Sequence, residues 1–323
     1  MEIRSLKRAL AQTLGALCLA GTLLSPAQAA SPQKVVIYQA FQSLLYLPLY
    51  VAIDQGMFAK HGLAIDKVTA GSGAAAVAAV IGGNATFSLQ DPMTAILANL
   101  KGASMTNVAL VVNGAPVWVV VPKGSNITSI AGLAGKPIAT AIPPSTSTYL
   151  LQRLLKRDKS TATLDTVQIG TELAPTMAGR AAAAAVYEPQ LDEGIAAGDK
   201  IIYAFTKHYP GGYAFSTIDM LKATGVKDPA MVKAFVASLA EAEHLMHTNP
   251  KIPLEVAEKE FPTLPAPVLK SAVARMVSQD VYPANPTISP KAFENALALQ
   301  IFIGNIKPGQ VTFKDAVEPE FAK

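Results

Sequence analysis

The sequence predicts an α/β fold with mainly parallel sheets, divided between two lobes. Three observations predict it. Short apolar, β-branched runs alternate with helical patterns through the first two thirds of the chain, the pattern of strands covered on both faces by helices. After a leader of 30 residues, about 290 remain, enough for two lobes of ordinary domain size. Two segments, residues 116–122 and 211–216, stand where a chain would cross from one lobe to the other and return. This gives residues 31–117 plus 217–323 as the first lobe and 118–216 as the second.

Residues 1–30 read as a secretory leader. Arg4, Lys7 and Arg8 make a positive start, residues 9–24 are apolar, and Ala27-Gln28-Ala29 after Pro26 supplies a small-x-small pattern. Cleavage is expected near Ala29 or Ala30, with export to the periplasm. The apolar run is weaker and shorter than the roughly 20 residues of a membrane span. Cys18, the only cysteine, falls inside the leader behind Leu17, so lipidation is not expected and the exported chain has no disulfide or thiol chemistry. Of the net charge of +4, +2 lies in the leader. The remaining +2, without any Lys/Arg run, gives no reason for a nucleic-acid partner.

The exported part begins with a buried strand over residues 34–38 (KVVIY) and a loop carrying Phe41, Gln42 and Ser43. Residues 46–63 (YLPLYVAIDQGMFAKHGL) then spell a punctuated helical unit. Pro48 suits a first turn, Leu49, Ala52 and Ile53 share a face, and Gly56 and Gly62 are left-handed stops. Residues 63–68 are a strand, Gly71-Ser72-Gly73 turns into an Ala/Val helix to Ile81, and residues 85–89 are a strand. Asp91 caps and Pro92 opens the next helix, and residues 109–112 are again a strand.

Residues 116–122 (PVWVVVP) are the most continuous β-branched run and carry the only Trp, Trp118. Residues 129–138 give a short helix and a strand. Residues 141–148 (AIPPSTST) form a hydroxyl-rich loop before an amphipathic helix over 149–157. A strand over 167–170, a helix over 172–179 and a small buried strand or helix end over 181–186 follow. Tyr187-Glu188-Pro189 opens a helix that ends at Gly198, and residues 200–205 are a strand. The chain turns helical from Ile218, with helices over 230–246, 266–277 and 290–302 that pack back on the first lobe.

Two kinds of chemistry compete at the glycine turn. Gly71-Ser72-Gly73-Ala74-Ala75-Ala76 fits the loose dinucleotide pattern G-x-G-x-x-A, with Asp91 about 20 residues on, so an α/β enzyme holding a nucleotide cofactor there is the alternative reading. Against it, Asp91 precedes a proline and reads as a helix cap. The plainer reading is a tight turn that leaves free N–H groups for a polar or anionic ligand. No G-x-S-x-G, H-E-x-x-H or P-loop occurs. Glu241, His244 and His247 share a helix face that could hold a metal but reads more simply as solvated. His61 lies at a helix end, where a cation is favoured. No cofactor or metal is expected.

Several stretches resemble a known family: YLPLYVAIDQGMFAKHGL, SGAAAVAAVIGGNATFSLQDP, SIAGLAGKPIAT, LAPTMAGRAAAAAVYEP and DPAMVKAFVASLAEA. In order and spacing they are similar to the ABC-transporter solute-binding proteins for nitrate, sulfonates, taurine and bicarbonate, which include thiamine-pyrimidine binders. The resemblance covers most of residues 35–245. It implies a two-lobe periplasmic-binding-protein fold of type II with the ligand clamped between the lobes, no enzymatic activity, and a permease and an ATPase of an importer as partners of a monomer. The cysteine-rich motif of the pyridoxal-using relatives is absent. Members often carry an acidic residue before the alanine run; here Arg180 precedes Ala181 to Ala185.

Carried onto this sequence, the resemblance implies a cleft lined by Phe41, Gln42, Ser43 and Tyr46, by Ser72 and Gly73, and by the Gln90-Asp91 corner. Asn113 and Trp118 face it from the first crossing. Ser145, Thr146, Ser147 and Thr148, then Tyr187 and Glu188, line it from the second lobe, and Tyr213 lies on the return crossing. Tyr46 could instead be core, and Asp91 and Glu188 could only cap helices. Aromatic rings at 41, 46, 118, 149, 187 and 213 could sandwich a flat ring, and no Arg lies in these stretches. A small organic solute with an aromatic or apolar body and one acidic group is favoured over inorganic nitrate or bicarbonate.

Overall fold

The computed structural model describes residues 31–322; the expected leader lies outside the described residues. The chain runs β1 (Gln33–Gln39), α1 (Leu47–Asp54), α2 (Met57–Lys60), β2 (Leu63–Thr69), α3 (Gly73–Ile81), β3 (Phe87–Gln90), α4 (Pro92–Asn99) and β4 (Met105–Val112). It then crosses to β5 (Trp118–Val121), β6 (Pro137–Ala141), α5 (Thr146–Arg157), β7 (Thr163–Val167), α6 (Ala174–Met177), β8 (Ala183–Val186), α7 (Gln190–Ala197) and β9 (Lys200–Ala204). It returns through β10 (Ser216–Leu221) and ends in α8 (Lys222–Lys227), α9 (Pro229–Thr248), α10 (Lys251–Glu260), α11 (Ala266–Ser278), α12 (Pro290–Phe302) and α13 (Phe313–Ala316).

Two five-stranded sheets result, in the orders β2-β1-β3-β10-β4 and β7-β6-β8-β5-β9. The parallel expectation holds with one refinement. Each sheet has a single strand antiparallel to both its neighbours, β10 in the first and β5 in the second. That strand is the one arriving from the other sheet. The two sheets therefore repeat one pattern, and the C-terminal ends of β1, β2, β3 and of β6, β7, β8 all carry loops into helices. Ligands of open α/β sheets bind outside such ends.

Local chemistry explains most boundaries. Pro48 and Pro92 lie in the first turns of α1 and α4. Gly56 takes φ +67°, which separates α1 from α2 without a Cβ penalty. Leu47 to Ala52 of α1 are all buried, with α9 and α10 packed against the helix.

Three expectations are corrected. Residues 218–221 are strand, where β-branched Thr217 and Ile218 pair with β3 and β4. The strand expected at 167–170 is Thr163–Val167, fixed by register against β6. Thr146–Thr148 form the first turn of α5 rather than a loop. Lys251–Glu260 is a further helix, which Asn249-Pro250 just before it and Pro253 within its first turn disguise.

The crossings are tied together. Phe215 N–H donates to Val112 O (3.0 Å), and Tyr213 N–H donates to Asn113 Oδ1 (3.2 Å). A Cβ on Gly212 would lie 2.6 Å from that oxygen, at φ +87°. Only glycine fits there.

Candidate functional site

The strand ends of the two sheets meet at one hydrogen bond. Thr146, the first residue of α5, donates its Oγ1 proton to Asp91 Oδ2 at 2.5 Å. The other oxygen of Asp91 accepts from Met93 N–H at 2.9 Å, capping α4. Asp91 is thus both cap and link. Its carboxyl is held above the usual carboxylate range by burial, against the pull of the Thr146 and Met93 hydrogen bonds.

Around this bond stands a shell of rings. Tyr46 is buried, with Phe41 5.4 Å away between centroids. Tyr187 packs edge-on against Phe215 at 6.0 Å, Phe215 lies 6.0 Å from Tyr213, and Tyr213 meets Tyr209 at 4.9 Å. The Tyr187 oxygen accepts from Ser147 N–H at 3.0 Å, and burial pushes its phenol up to about 12. Ser145 and Ser147 share a hydrogen bond at 2.9 Å. Tyr149, half-buried on the next turn, lies near enough to Asp91 for that carboxylate to add to the effect of burial in raising its phenol.

Not every expected residue reaches this place. Trp118 is fully buried in the second sheet, among Val120, Ala139, Ala184, Val186 and Leu191. Alternation decides it: Trp118 and Val120 share the face toward α7, and Val119 and Val121 share the other. Thr148 is interior too, bonded to Thr140 (3.0 Å) and Ala141 O. Gln90 is turned into the first sheet, where its amide donates to the buried Asp219 carboxylate, whose other oxygen accepts from Asn107 and Thr217. Asn113 braces the crossings.

Glu188 is occupied elsewhere. It is buried, its Oε1 accepts from Arg275 Nε at 2.9 Å, and its Oε2 accepts from Asp192 N–H at 3.1 Å. Arg275 also bonds Asp192 at 2.7 Å. Two carboxylates share one guanidinium, and burial together with Asp192 pushes Glu188 up to about 8.

Ser72 is exposed and caps α3 through Ala75 N–H (3.2 Å). Gly73 lets that helix start within van der Waals reach of Gln90 and Thr94. Ser43 caps a short helical turn, and Gln42 bridges Gln39, Tyr50 and Glu260. On the helix face of Glu241, His244 and His247, Glu241 bonds His61 (2.6 Å) and His247 bonds Tyr282 O (2.9 Å).

Sequence reasoning missed Glu172, buried in the loop after β7 and bonded to Gly170 N–H (2.9 Å), with burial pushing its carboxyl up to about 7. It also missed the arginines of α5. Arg153 and Arg157 line a cavity of 390 Å³ beside the seam, with rings from Tyr203, Tyr209 and Phe302. Their spacing, R-x-x-K-R with two leucines on one face, was the available signal.

No histidine stands at the seam among the described residues, and the Thr146 hydroxyl donates to the Asp91 carboxyl. The arrangement can grip polar and aromatic groups from two sides.

The NMT1/THI5-like family profile matches residues 45–252. The chain belongs to that family. Solved structures of similar fold include the periplasmic aliphatic sulphonate binding protein SsuA from Escherichia coli, 20% identical over 89% of this chain and 98% of that one, with a TM-score of 0.71. The periplasmic nitrate-binding protein NrtA from Synechocystis is 13% identical, covering 90% and 87%, at 0.68. A Candida albicans protein described as having the generic periplasmic binding protein fold is 13% identical, covering 88% and 96%, at 0.66. Family membership and these likenesses fix the fold as that of the two-lobe periplasmic binding proteins. No curated protein matches the sequence.

Proposed function

We propose that the protein is the extracytoplasmic solute-binding component of an ABC importer. It captures a small organic solute between its two sheets, by closure of one lobe, residues 31–117 plus 217–323, on the other, 118–216. The observation that carries this reading is the Asp91–Thr146 hydrogen bond. It joins the strand ends of one sheet to a helix start on the other, inside a shell of tyrosines contributed by both. Hinge closure is the usual motion of such folds. Relatives named for sulphonate and nitrate binding support the transport role.

The protein acts as a receptor and not as an enzyme, is exported to the periplasm behind its leader, and works as a monomer with a membrane permease and an ATPase. Phe41, Tyr46, Ser145, Thr146, Tyr187 and Tyr213 form the contact set. The rings favour a solute with a flat or apolar body over inorganic nitrate.

Native mass spectrometry of the protein taken from its host periplasm tests this. A retained small organic solute is expected, and Ser145→Ala with Thr146→Ala should weaken its rebinding with little change in Tm. Retention of a nucleotide or pyridoxal cofactor with turnover would overturn it.

A further inference from the structure

The cavity on the far part of α5 has no role in the seam. Arg153 lies seven residues beyond Thr146, about 10 Å along the helix axis. The cavity is bounded by α5, by β9 and the stretch after it and by the end of α12, and its 390 Å³ falls in the size range of small-molecule sites, roughly 300–1,000 Å³.

Its chemistry is one-sided. Arg153, Lys156, Arg157 and His208 line it. The Arg157 fork is engaged by Asp158, at 2.7 and 3.2 Å. Arg153 and Lys156 enter no salt bridge among the described residues. The aromatic walls are flat. Tyr203 stacks on His208 at 4.6 Å with their planes 1° apart, and Lys156 Nζ sits 5.1 Å from the Phe302 ring centre. Two uncompensated cations beside ring faces match a planar organic anion, whose ring lies on aromatic surface while its acid group meets guanidinium and ammonium donors.

We propose that this cavity is a second ligand site, separate from the seam, for an aromatic monoanion such as an aryl sulfonate or aryl carboxylate. It reaches the return crossing through the contact of Tyr209 with Tyr213.

The test is calorimetric titration of the purified protein with naphthalene-2-sulfonate, with 2-naphthylmethanol and inorganic sulfate as single-feature controls. Binding of the sulfonate is expected, with both controls weaker. Arg153→Gln combined with Lys156→Gln should weaken it by about tenfold. Ser145→Ala with Thr146→Ala should leave it within about twofold, on the same fold-change scale. Phe302→Leu, read with a melting curve, gives an independent second variant and should also weaken the sulfonate.

Absence of binding, equal binding of the neutral alcohol, or unchanged affinity in the Arg153/Lys156 variant would overturn the proposal. Loss of binding in the Ser145/Thr146 variant alone would overturn it as well, because the probe would then sit in the seam. That last result would leave the transport reading intact.

Discussion

Asp91 and Glu188 occupy equivalent corners. Each follows the third strand in its sheet order, and each precedes a proline at a helix start. Yet Asp91 reaches across to Thr146 on the other sheet, while Glu188 is drawn into an ion-paired cluster with Arg275 and Asp192. The first link is one hydroxyl and easily released. The second binds α7 to α11 through a buried cluster of two acids on one guanidinium, whose hydrogen bonds cannot be broken without cost. Equivalent positions in a repeated topology have thus been divided between a contact suited to opening and a permanent contact between the same two proposed lobes, about which that opening would have to pivot.

The largest test of this division removes Glu188. Glu188→Ala leaves Arg275 with one carboxylate and unfilled donors, and breaking such a buried pair costs about 3–5 kcal/mol. Thermal denaturation should show a drop of roughly 10 °C, with binding of the retained solute preserved by the remaining folded protein. A small drop would mean the cluster is not the permanent side of the comparison.

The pH profile follows next. The folded-state carboxyl of Glu188 is raised to about 8 from 4.5, so the folded protein keeps a proton that the unfolded chain releases in that window. This contribution to stability is full below about pH 4.5 and declines as pH rises toward about 8. Glu188→Gln should flatten the fall of Tm between those values. An unchanged slope would assign the pH dependence to another buried acid, such as Glu243, whose carboxyl burial also raises.

Asp91→Ala should cost only about 1 kcal/mol, the usual worth of a helix cap. Its larger effect should appear as weaker solute binding and, in small-angle scattering, as a more expanded solute-free protein. Unaltered scattering together with unaltered affinity would reduce Asp91 to a cap. The smallest effect is expected for Ser72→Ala, again about 1 kcal/mol or less for a cap, with affinity unchanged. Weakened binding there would return the glycine turn to the site.

The fold was legible because its punctuation is local. Asp91-Pro92, Gly56 and Gly198 announce helix ends whatever lies around them. β10 was misread because a single strand entering from the other sheet has no alternation of its own to display; its residues are buried on both faces.

The site was less legible for a related reason. Period two on residues 118–121 says that Trp118 and Val120 share a face, but α7, more than 60 residues on, decides which face is core. Glu188 likewise carries the same local signature as Asp91. What separates them is Arg275, 87 positions away along the chain. The arginines of α5 stand about two turns or more beyond its hydroxyls, and only the packing of β9 and α12 beside them makes a cavity.

The Asn113–Gly212 contact has a mechanical consequence. Here the outgoing and returning strands are riveted where Gly212 presses against the Asn113 amide, and Asn295 fastens the carbonyl of Gly212 at 2.7 Å. With the Arg275 cluster between α7 and α11, this gives two fixed points between the proposed lobes. If the lobes close as proposed, they would turn about the line through those points, and Thr146 would return to Asp91 each time.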